Sequence, residues 1–300
     1  MLFRCAAASL DRHEDLLGSA STVRAFLLVE NAGPWGTEAL HDARLPEDVK
    51  EGLRDAAARA GVRVLLVRRH RGPATGPEIR VFAAYADPVA PWLETATLAD
   101  ERVLLDLDLD ALGAGRSPGL TPADGPLVCV CTHGRHDACC AERGRPVAAA
   151  LTASHPEETW EVSHIGGDRF AANVLVLPEG LYYGRVGAES APGLVDLHRS
   201  GHLDLDLLRG RSGFGFPVQV AEVALRRSVG ETRRDAVRLE RVERRGDDRH
   251  VRLAAAGTSY DVVVRVSEEP EQQRLTCRAL RDNPQPTYTV VSVEKAKPSI

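Results

Sequence analysis

The residues best suited to chemistry in this sequence are cysteines gathered in one short stretch. Four of the six cysteines in the 300-residue chain are Cys129, Cys131, Cys139 and Cys140. Thiolates are soft ligands that select zinc, copper(I) and iron–sulfur clusters. Clustered cysteines in a reducing compartment more often bind metal or do redox work than form structural disulfides. The stretch therefore predicts a metal or redox centre.

An imidazole and a carboxylate follow the cysteines on a glycine turn. His164 and Asp168 flank the pair Gly166-Gly167. Glycine lets the chain adopt a positive φ or approach another group closely. With three residues between them, His164 and Asp168 are predicted to point towards one centre. Imidazole and carboxylate are both metal ligands, so this turn is the predicted partner of the cysteine stretch.

The spacing of the cysteines limits how many of them can bind one centre. Cys129 and Cys131 are two apart on a predicted strand, and alternation places both side chains on the same face. Cys139 and Cys140 are adjacent on a predicted helix and cannot point the same way. We therefore expect one of that pair to be a ligand and the other to pack beside the centre.

A thiol–disulfide enzyme is a less favoured interpretation of the same residues. Such enzymes need a low-pKa cysteine with a resolving partner, usually in a C-x-x-C motif. The sequence has C-x-C and C-C instead. Cys5 and Cys277 lie far from the cluster in sequence, and we interpret both as small buried hydrophobic residues.

The elements around the cysteines form a predicted α/β module. An apolar strand, Leu127–Cys131, leads into the cysteines. A helix is predicted over Cys139–Leu151, with Asp137 as its N-cap. Strands are predicted at Trp160–Ser163 and Asn173–Leu177. The strands and the helix would hold the cysteines and the glycine turn against each other.

An earlier part of the chain repeats this pattern without the cysteines. Strands are predicted over Thr22–Glu30, Val62–Arg68 and Ile79–Tyr85, and a helix over Pro46–Ala60. Proline at the first position and Gly61 after the last are typical helix boundaries. This pattern predicts a second α/β module.

The remaining chain is predicted to form a small antiparallel β unit. Its strand-like runs are Val237–Val242, His250–Ala255, Tyr260–Val266, Gln273–Ala279 and Tyr288–Val293. The predicted domains are an N-terminal module (1–112), a Gly/Pro-rich linker (113–126), a cysteine-bearing module (127–232) and the β unit (233–300).

Bulk properties exclude several functional classes. The formal charge of −5 argues against nucleic-acid binding. The longest apolar runs, such as Val62–Val67, are far shorter than the ~20 residues of a membrane span. Arg4 and Asp11 come too early for the apolar region of a signal peptide. We therefore expect a cytoplasmic protein that binds neither membranes nor nucleic acid.

Several ordered motifs resemble the sucrase/ferredoxin-like family, whose members are thioredoxin-like [2Fe–2S] ferredoxins. These motifs are C-T-H-G-x-x-D-x-x-C at Cys131–Cys140, H-x-G-G at His164–Gly167, A-x-N at Ala171–Asn173, ENAGPWG at Glu30–Gly36 and Q-x-A-E at Gln219–Glu222. The resemblance covers most of residues 20–230. It implies an α/β fold with two thioredoxin-like α/β modules before the small antiparallel β unit.

The resemblance also implies a ligand set with one departure. Two cysteines and two histidines, spaced H-x-x-x-H, hold the cluster in the family. Carried onto this chain, they correspond to Cys131, Cys140 and His164, but Asp168 occupies the fourth position. Either Asp168 ligates, or Cys139 or Cys129 supplies the fourth bond, or the centre is altered or lost.

The implied function is electron transfer through a [2Fe–2S] cluster, rather than an enzyme reaction with its own substrate. Zinc held structurally by the same residues is the main alternative. The redox partner would be a protein. Arginines near the motif are either a surface for an acidic partner or ordinary solvated residues: Arg135, Arg143, Arg145, Arg169 and Arg185.

Overall fold

The computed structural model describes residues 2–72, 78–268 and 271–297. Within them the fold is mixed α/β, with a ten-stranded sheet and a separate four-stranded antiparallel sheet. The ten strands are β1 (Ala25–Glu30), β2 (Val62–Arg68), β3 (Ile79–Tyr85), β4 (Trp92–Leu98), β5 (Thr121–Pro122), β6 (Leu127–Cys131), β7 (Thr159–Val162), β8 (Val174–Leu177), β9 (Leu181–Tyr183) and β10 (Leu208–Arg211). The four are β11 (Val237–Arg245), β12 (Asp248–Ala255), β13 (Thr258–Glu268) and β14 (Pro286–Lys295).

Seven α-helices accompany the sheets in these residues. They are α1 (Cys5–Asp11), α2 (Ala39–Asp42), α3 (Glu47–Ala60), α4 (Leu109–Gly113), α5 (Ala138–Ser154), α6 (Ala191–Arg199) and α7 (Phe216–Val229). Short 3-10 helices span Glu101–Asp106 and Asp168–Phe170. The predicted α/β class and the C-terminal antiparallel unit are confirmed.

The ten-stranded sheet consists of two halves with the same connectivity. In the first half, β1 and β2 are parallel and joined through α3, while β3 and β4 add antiparallel. In the second half, β6 and β7 are parallel and joined through α5, while β8 and β9 add antiparallel. The strand orders are therefore β2-β1-β3-β4 and β7-β6-β8-β9.

The two halves form one continuous sheet, which the sequence did not predict. Edge strands β2 and β7 pair antiparallel through Val67↔Val162 and Arg68↔Glu161. At this junction the buried Glu161 carboxylate contacts Arg68 at 2.7 Å and His70 at 2.6 Å. The predicted linker contributes to the sheet too, because β5 pairs with β4.

The four-stranded sheet packs on helix α7 and departs from the prediction in one segment. Its buried valines and leucines form a core cluster with the apolar side of α7. The predicted strand Gln273–Ala279 is wrong: apart from an isolated bridge between Gln273 and Asn283, this part of the chain has no sheet partner among the described residues. The Cys277 sulfur contacts Cys139 Sγ and the Cys277 amide donates to Asp137, and these contacts hold the segment instead. No helix of the described residues is long and apolar enough to cross a membrane.

Candidate metal centre

Strand β6 and helix α5 carry the two cysteines of the C-T-H-G-x-x-D-x-x-C motif. Cys131 is the last residue of β6, and Cys140 lies in the first turn of α5. Asp137 caps the helix as predicted, because its side chain accepts a 2.9 Å hydrogen bond from the Cys139 amide. Both motif thiols have no solvent exposure and belong to the same core cluster.

The glycine turn brings His164 and Asp168 to these thiols. Gly166 and Gly167 both have positive φ, at 97° and 78°, which glycine adopts at little cost. The Asn173 amide donates to the Gly167 carbonyl at 2.9 Å. The A-x-N motif therefore fixes the shape of the turn.

A buried arginine that the sequence analysis missed also fixes this turn. The Arg209 guanidinium donates to the Gly166 carbonyl at 2.9 Å and to Asn173 Oδ1 at 2.8 Å. A side chain at Gly167 would overlap this guanidinium. Burial lowers the pKa of Arg209 to about 10, so it stays charged at neutral pH.

Asp168 contacts both Cys140 and His164. Its Oδ1 lies 3.1 Å from Cys140 Sγ and 2.9 Å from His164 Nδ1. The Nδ1 atom is buried, yet it makes no aligned hydrogen bond with any residue in the described part of the chain. Buried nitrogens in proteins usually have a hydrogen-bond partner. The lack of one at His164 Nδ1 would be explained if Nδ1 and Asp168 Oδ1 were both ligands of the same ion.

His136 is a further candidate ligand that sequence reasoning missed. Its ring stacks on the ring of His164, with centroids 3.7 Å apart, and its Nε2 lies 3.8 Å from Asp168 Oδ2. Ligand atoms of His136, His164 and Asp168 all lie within 4.8 Å of one another. His136 occupies a variable position of the C-T-H-G-x-x-D-x-x-C motif, so the motif did not identify it as a candidate ligand.

The ENAGPWG motif positions the histidines from the other half of the sheet. The Gly36 carbonyl lies 2.9 Å from His133 Nε2, and the Thr37 carbonyl lies 3.3 Å from His136 Nδ1. His133 Nδ1 in turn accepts a 3.2 Å hydrogen bond from the His164 amide. The first half of the sheet therefore supports the site in the second half.

Without a bound metal ion, the electrostatics favour a charged imidazole–carboxylate pair. Burial alone would lower the pKa of His164, but the Asp168 carboxylate outweighs it and raises that pKa. Burial alone would raise the pKa of Asp168, but the neighbouring His164 outweighs burial and lowers that pKa. The neighbouring Cys140 thiol lowers the pKa of Cys131, whereas the pKa of Cys140 is raised well above its ordinary value.

In the described residues, the two other thiols that the sequence offered as fourth ligand make no hydrogen bond with Asp168 or His164. Cys139 packs in a different cluster from Cys140, with Cys5 and Cys277, and its Sγ lies 3.4 Å from Cys277 Sγ. Cys129 is fully buried in the sheet core, and burial raises its pKa. Among the described residues, Asp168 and His136 remain next to Cys140 and His164.

Two groups of the described residues can hold a metal ion. One is the group around Asp168, formed with His136 and His164. The other joins two cysteines that were interpreted as simple hydrophobic residues to the start of α5: Cys5, Asp137, Cys139 and Cys277.

A comparison with protein-family models identifies the family of this chain. The sucrase/ferredoxin-like model matches residues 16–210. This chain belongs to the sucrase/ferredoxin-like family. No curated protein and no solved structure matches the chain. The family match covers both halves of the ten-stranded sheet, Cys131, Cys140 and the glycine turn, and it ends before the Q-x-A-E motif.

In this family member the Q-x-A-E motif has a structural role. The Gln219 amide donates to the carbonyls of Ala20 and Phe214 at 3.1 and 2.9 Å. Glu222 is fully buried and accepts from Arg226 at 2.9 Å. The motif therefore ties α7 to the segment before β1 and to the segment after β10.

The arginines around the centre fall into two groups. Arg169 pairs with Glu14 at 2.5 Å, and Arg185 donates to the Glu14 carbonyl at 2.6 Å, so both have internal partners. The other three are exposed at the start of α5: Arg135, Arg143 and Arg145.

Replacing Gly144 by alanine is expected to destabilise this sucrase/ferredoxin-like protein. Gly144 lies in α5, and a methyl group there would overlap the carbonyl oxygen of Cys131 on β6. Helix and strand would have to separate, which costs about 1–3 kcal/mol of unfolding free energy in overpacked sites. Urea unfolding followed by circular dichroism measures this loss.

Gly193→Ala is the matched control for this substitution. Gly193 also lies in a helix, α6, but a methyl group there meets nothing within 4 Å. It is expected to raise the unfolding free energy by about 0.5–1 kcal/mol, because alanine loses less backbone freedom on folding. Equal effects of the two substitutions would contradict the close approach at Gly144.

Proposed function

We propose that this protein transfers single electrons through a [2Fe–2S] cluster held by Cys131, Cys140, His164 and Asp168. The convergence of Cys140 Sγ and His164 Nδ1 on Asp168 Oδ1, at 3.1 and 2.9 Å, carries the proposal. Membership of the sucrase/ferredoxin-like family supports it.

The residues present fit such a cluster. Cysteine thiolates hold iron–sulfur clusters, and two histidines replace two thiolates on one iron in some of them. The chain supplies two buried thiols, Cys131 and Cys140, close to His164 and Asp168. The buried His164 Nδ1 without an aligned hydrogen bond fits a nitrogen whose lone pair is reserved for iron.

Asp168 is a better fourth ligand than His136 by its contacts. Asp168 contacts both Cys140 and His164, whereas His136 stacks on the His164 ring and lies 3.8 Å from the second carboxylate oxygen of Asp168. We therefore assign His136 the role of a neighbouring group that packs on the His164 ring beside the centre. Carboxylate is a harder ligand than imidazole, so this chain departs from the two-histidine pattern of its family.

A bound [2Fe–2S] cluster accepts and donates one electron at a potential set by its ligands and surroundings. The chain's own residues would do the rest. Cys131, Cys140 and Asp168 are buried and keep water from three ligand positions. The side chains of His164 and His136 are 26% and 32% exposed, so the centre reaches the surface at the histidines. We infer that the redox partner docks there.

The fold supports this proposal through the two halves of the ten-stranded sheet. Each half has the strand–helix–strand–strand–strand connectivity described above, and we propose that both are thioredoxin-like modules, corresponding to residues 1–112 and 127–232. The second would be the ferredoxin module, and residues 233–300 an added β unit.

A single zinc ion in the same place is the second candidate. The observation that favours it is the compact group of His136, His164 and Asp168, whose ligand atoms lie within 4.8 Å of one another. Thiol–disulfide chemistry at Cys131 and Cys140 is disfavoured, because reactive cysteines are accessible and both of these thiols have no exposure.

Metal analysis of protein purified without oxygen tests the proposal. We expect iron and acid-labile sulfide in equal amounts, about two of each per chain, with a reddish-brown colour. Electron paramagnetic resonance of the dithionite-reduced protein should show one unpaired electron per cluster. Colourless protein that contains zinc but neither iron nor sulfide at this centre would favour the second candidate and overturn the first.

A further inference from the structure

Three cysteines and an aspartate form a second thiol cluster at the start of helix α5. They come from three separate parts of the chain: Cys5 from α1, Asp137 and Cys139 from the start of α5, and Cys277 from the segment between β13 and β14. Cys5 and Cys277 are 272 positions apart. Local sequence pattern cannot bring such residues together, so their meeting is a property of the tertiary fold.

The distances within this cluster are those of ligands around one ion. Cys277 Sγ lies 3.4 Å from Cys139 Sγ and 3.6 Å from Cys5 Sγ. Cys5 Sγ lies 3.6 Å from each carboxylate oxygen of Asp137. Tetrahedral zinc, with Zn–S of about 2.3 Å and Zn–O of about 2.0 Å, separates two sulfurs by about 3.8 Å and a sulfur from an oxygen by about 3.5 Å.

The second thiol cluster is compact enough for its members to bind a single ion. Here all four ligand atoms lie within 4.8 Å of one another. Three soft thiolates with one carboxylate suit zinc among the common divalent ions.

Burial indicates a structural role for the ion. Cys5, Asp137 and Cys139 have at most 1% exposure, and Cys277 is half-buried. Four protein ligands complete a tetrahedral shell and leave no open position for substrate, as in structural zinc sites. Each carboxylate oxygen of Asp137 accepts one backbone amide, from Cys139 at 2.9 Å and from Cys277 at 2.6 Å, which orients it towards the thiols.

We propose that Cys5, Asp137, Cys139 and Cys277 bind one zinc ion that fastens α1 and the β13–β14 connection to the start of α5. In the described residues the β13–β14 connection has no regular secondary structure beyond one isolated bridge. The zinc ion would therefore supply cross-links that backbone hydrogen bonds do not. Cys5 and Cys277 both lie outside the stretch that the family model matches. The site shares no ligand with the centre of the proposed electron transfer.

Zinc and iron measured together on the full chain test this proposal. Protein expressed with both metals and purified without oxygen should contain one zinc per chain in addition to its iron. In Cys277→Ser and Cys5→Ser, zinc should fall to less than a tenth of the wild-type content, while iron is retained. Cys140→Ala should show the reverse, with zinc retained and iron lost.

Cobalt(II) gives an independent readout that does not require the serine variants to fold. Added to zinc-depleted Cys140→Ala protein, cobalt should produce the intense visible bands of a tetrahedral site and thiolate charge-transfer absorption. Weak octahedral bands would overturn the proposal. So would zinc-free wild-type protein, zinc that stays in both serine variants, or a Cys139–Cys277 disulfide found by alkylation and mass spectrometry in the anaerobic preparation.

Discussion

Replacing Cys140 by alanine is expected to abolish the iron content and visible absorption of the protein. Cys140 is fully buried, and its sulfur touches the carboxylate on which His164 also converges. Removing a group that only supports a ligand already costs about 10–100-fold in metal affinity, and loss of a ligand costs more. Iron bound after anaerobic purification should therefore fall below about a tenth of the wild-type amount.

Cys129→Ala separates this loss from general destabilisation. Cys129 and Cys140 belong to the same core cluster, and both have no exposure, so each substitution removes one buried sulfur. The Cys129 variant should keep its iron, because the Cys129 side chain makes no hydrogen bond with Asp168 or His164. Iron lost equally from both variants would show that packing, not ligation, explains the effect at Cys140.

Local sequence patterns predicted the elements that carry the centre. Strand β6 at Leu127–Cys131 begins and ends where the apolar run does, and Asp137 caps α5 as its position before the helix suggested. The glycine pair of the turn adopts the positive φ that glycine permits. Each of these features depends on residues close in sequence, so periodicity, capping and turn chemistry were sufficient.

The features that the sequence did not predict depend on contacts between distant residues. Arg209 and Arg211 are buried in β10, although arginine is rarely buried and nothing nearby in sequence marks them. Strands β2 and β7 were each predicted as strands, but nothing in either sequence indicated that they pair with each other. The strand predicted at Gln273–Ala279 failed for the same reason, because Cys277 contacts residues more than a hundred positions away.

Replacing Asp168 by histidine is expected to raise the midpoint potential of the cluster. An aspartate ligand adds a negative charge to the centre, which favours the oxidised state, whereas neutral imidazole does not. Two histidines in place of two thiolates raise the potential by a few hundred millivolts, so one carboxylate replaced by imidazole should raise it by on the order of 100 mV. Spectroscopic redox titration of both proteins measures the change.

His136→Gln is the control that identifies the fourth ligand in the same experiment. If Asp168 ligates, the glutamine variant keeps its cluster, because His136 lies only beside the carboxylate, 3.8 Å from its second oxygen. Its midpoint potential should then shift less than that of Asp168→His. A cluster lost from His136→Gln, together with an unchanged potential in Asp168→His, would assign the fourth bond to His136. That result would return the ligand set to two cysteines and two histidines, with the second histidine on α5's N-terminal loop instead of the glycine turn.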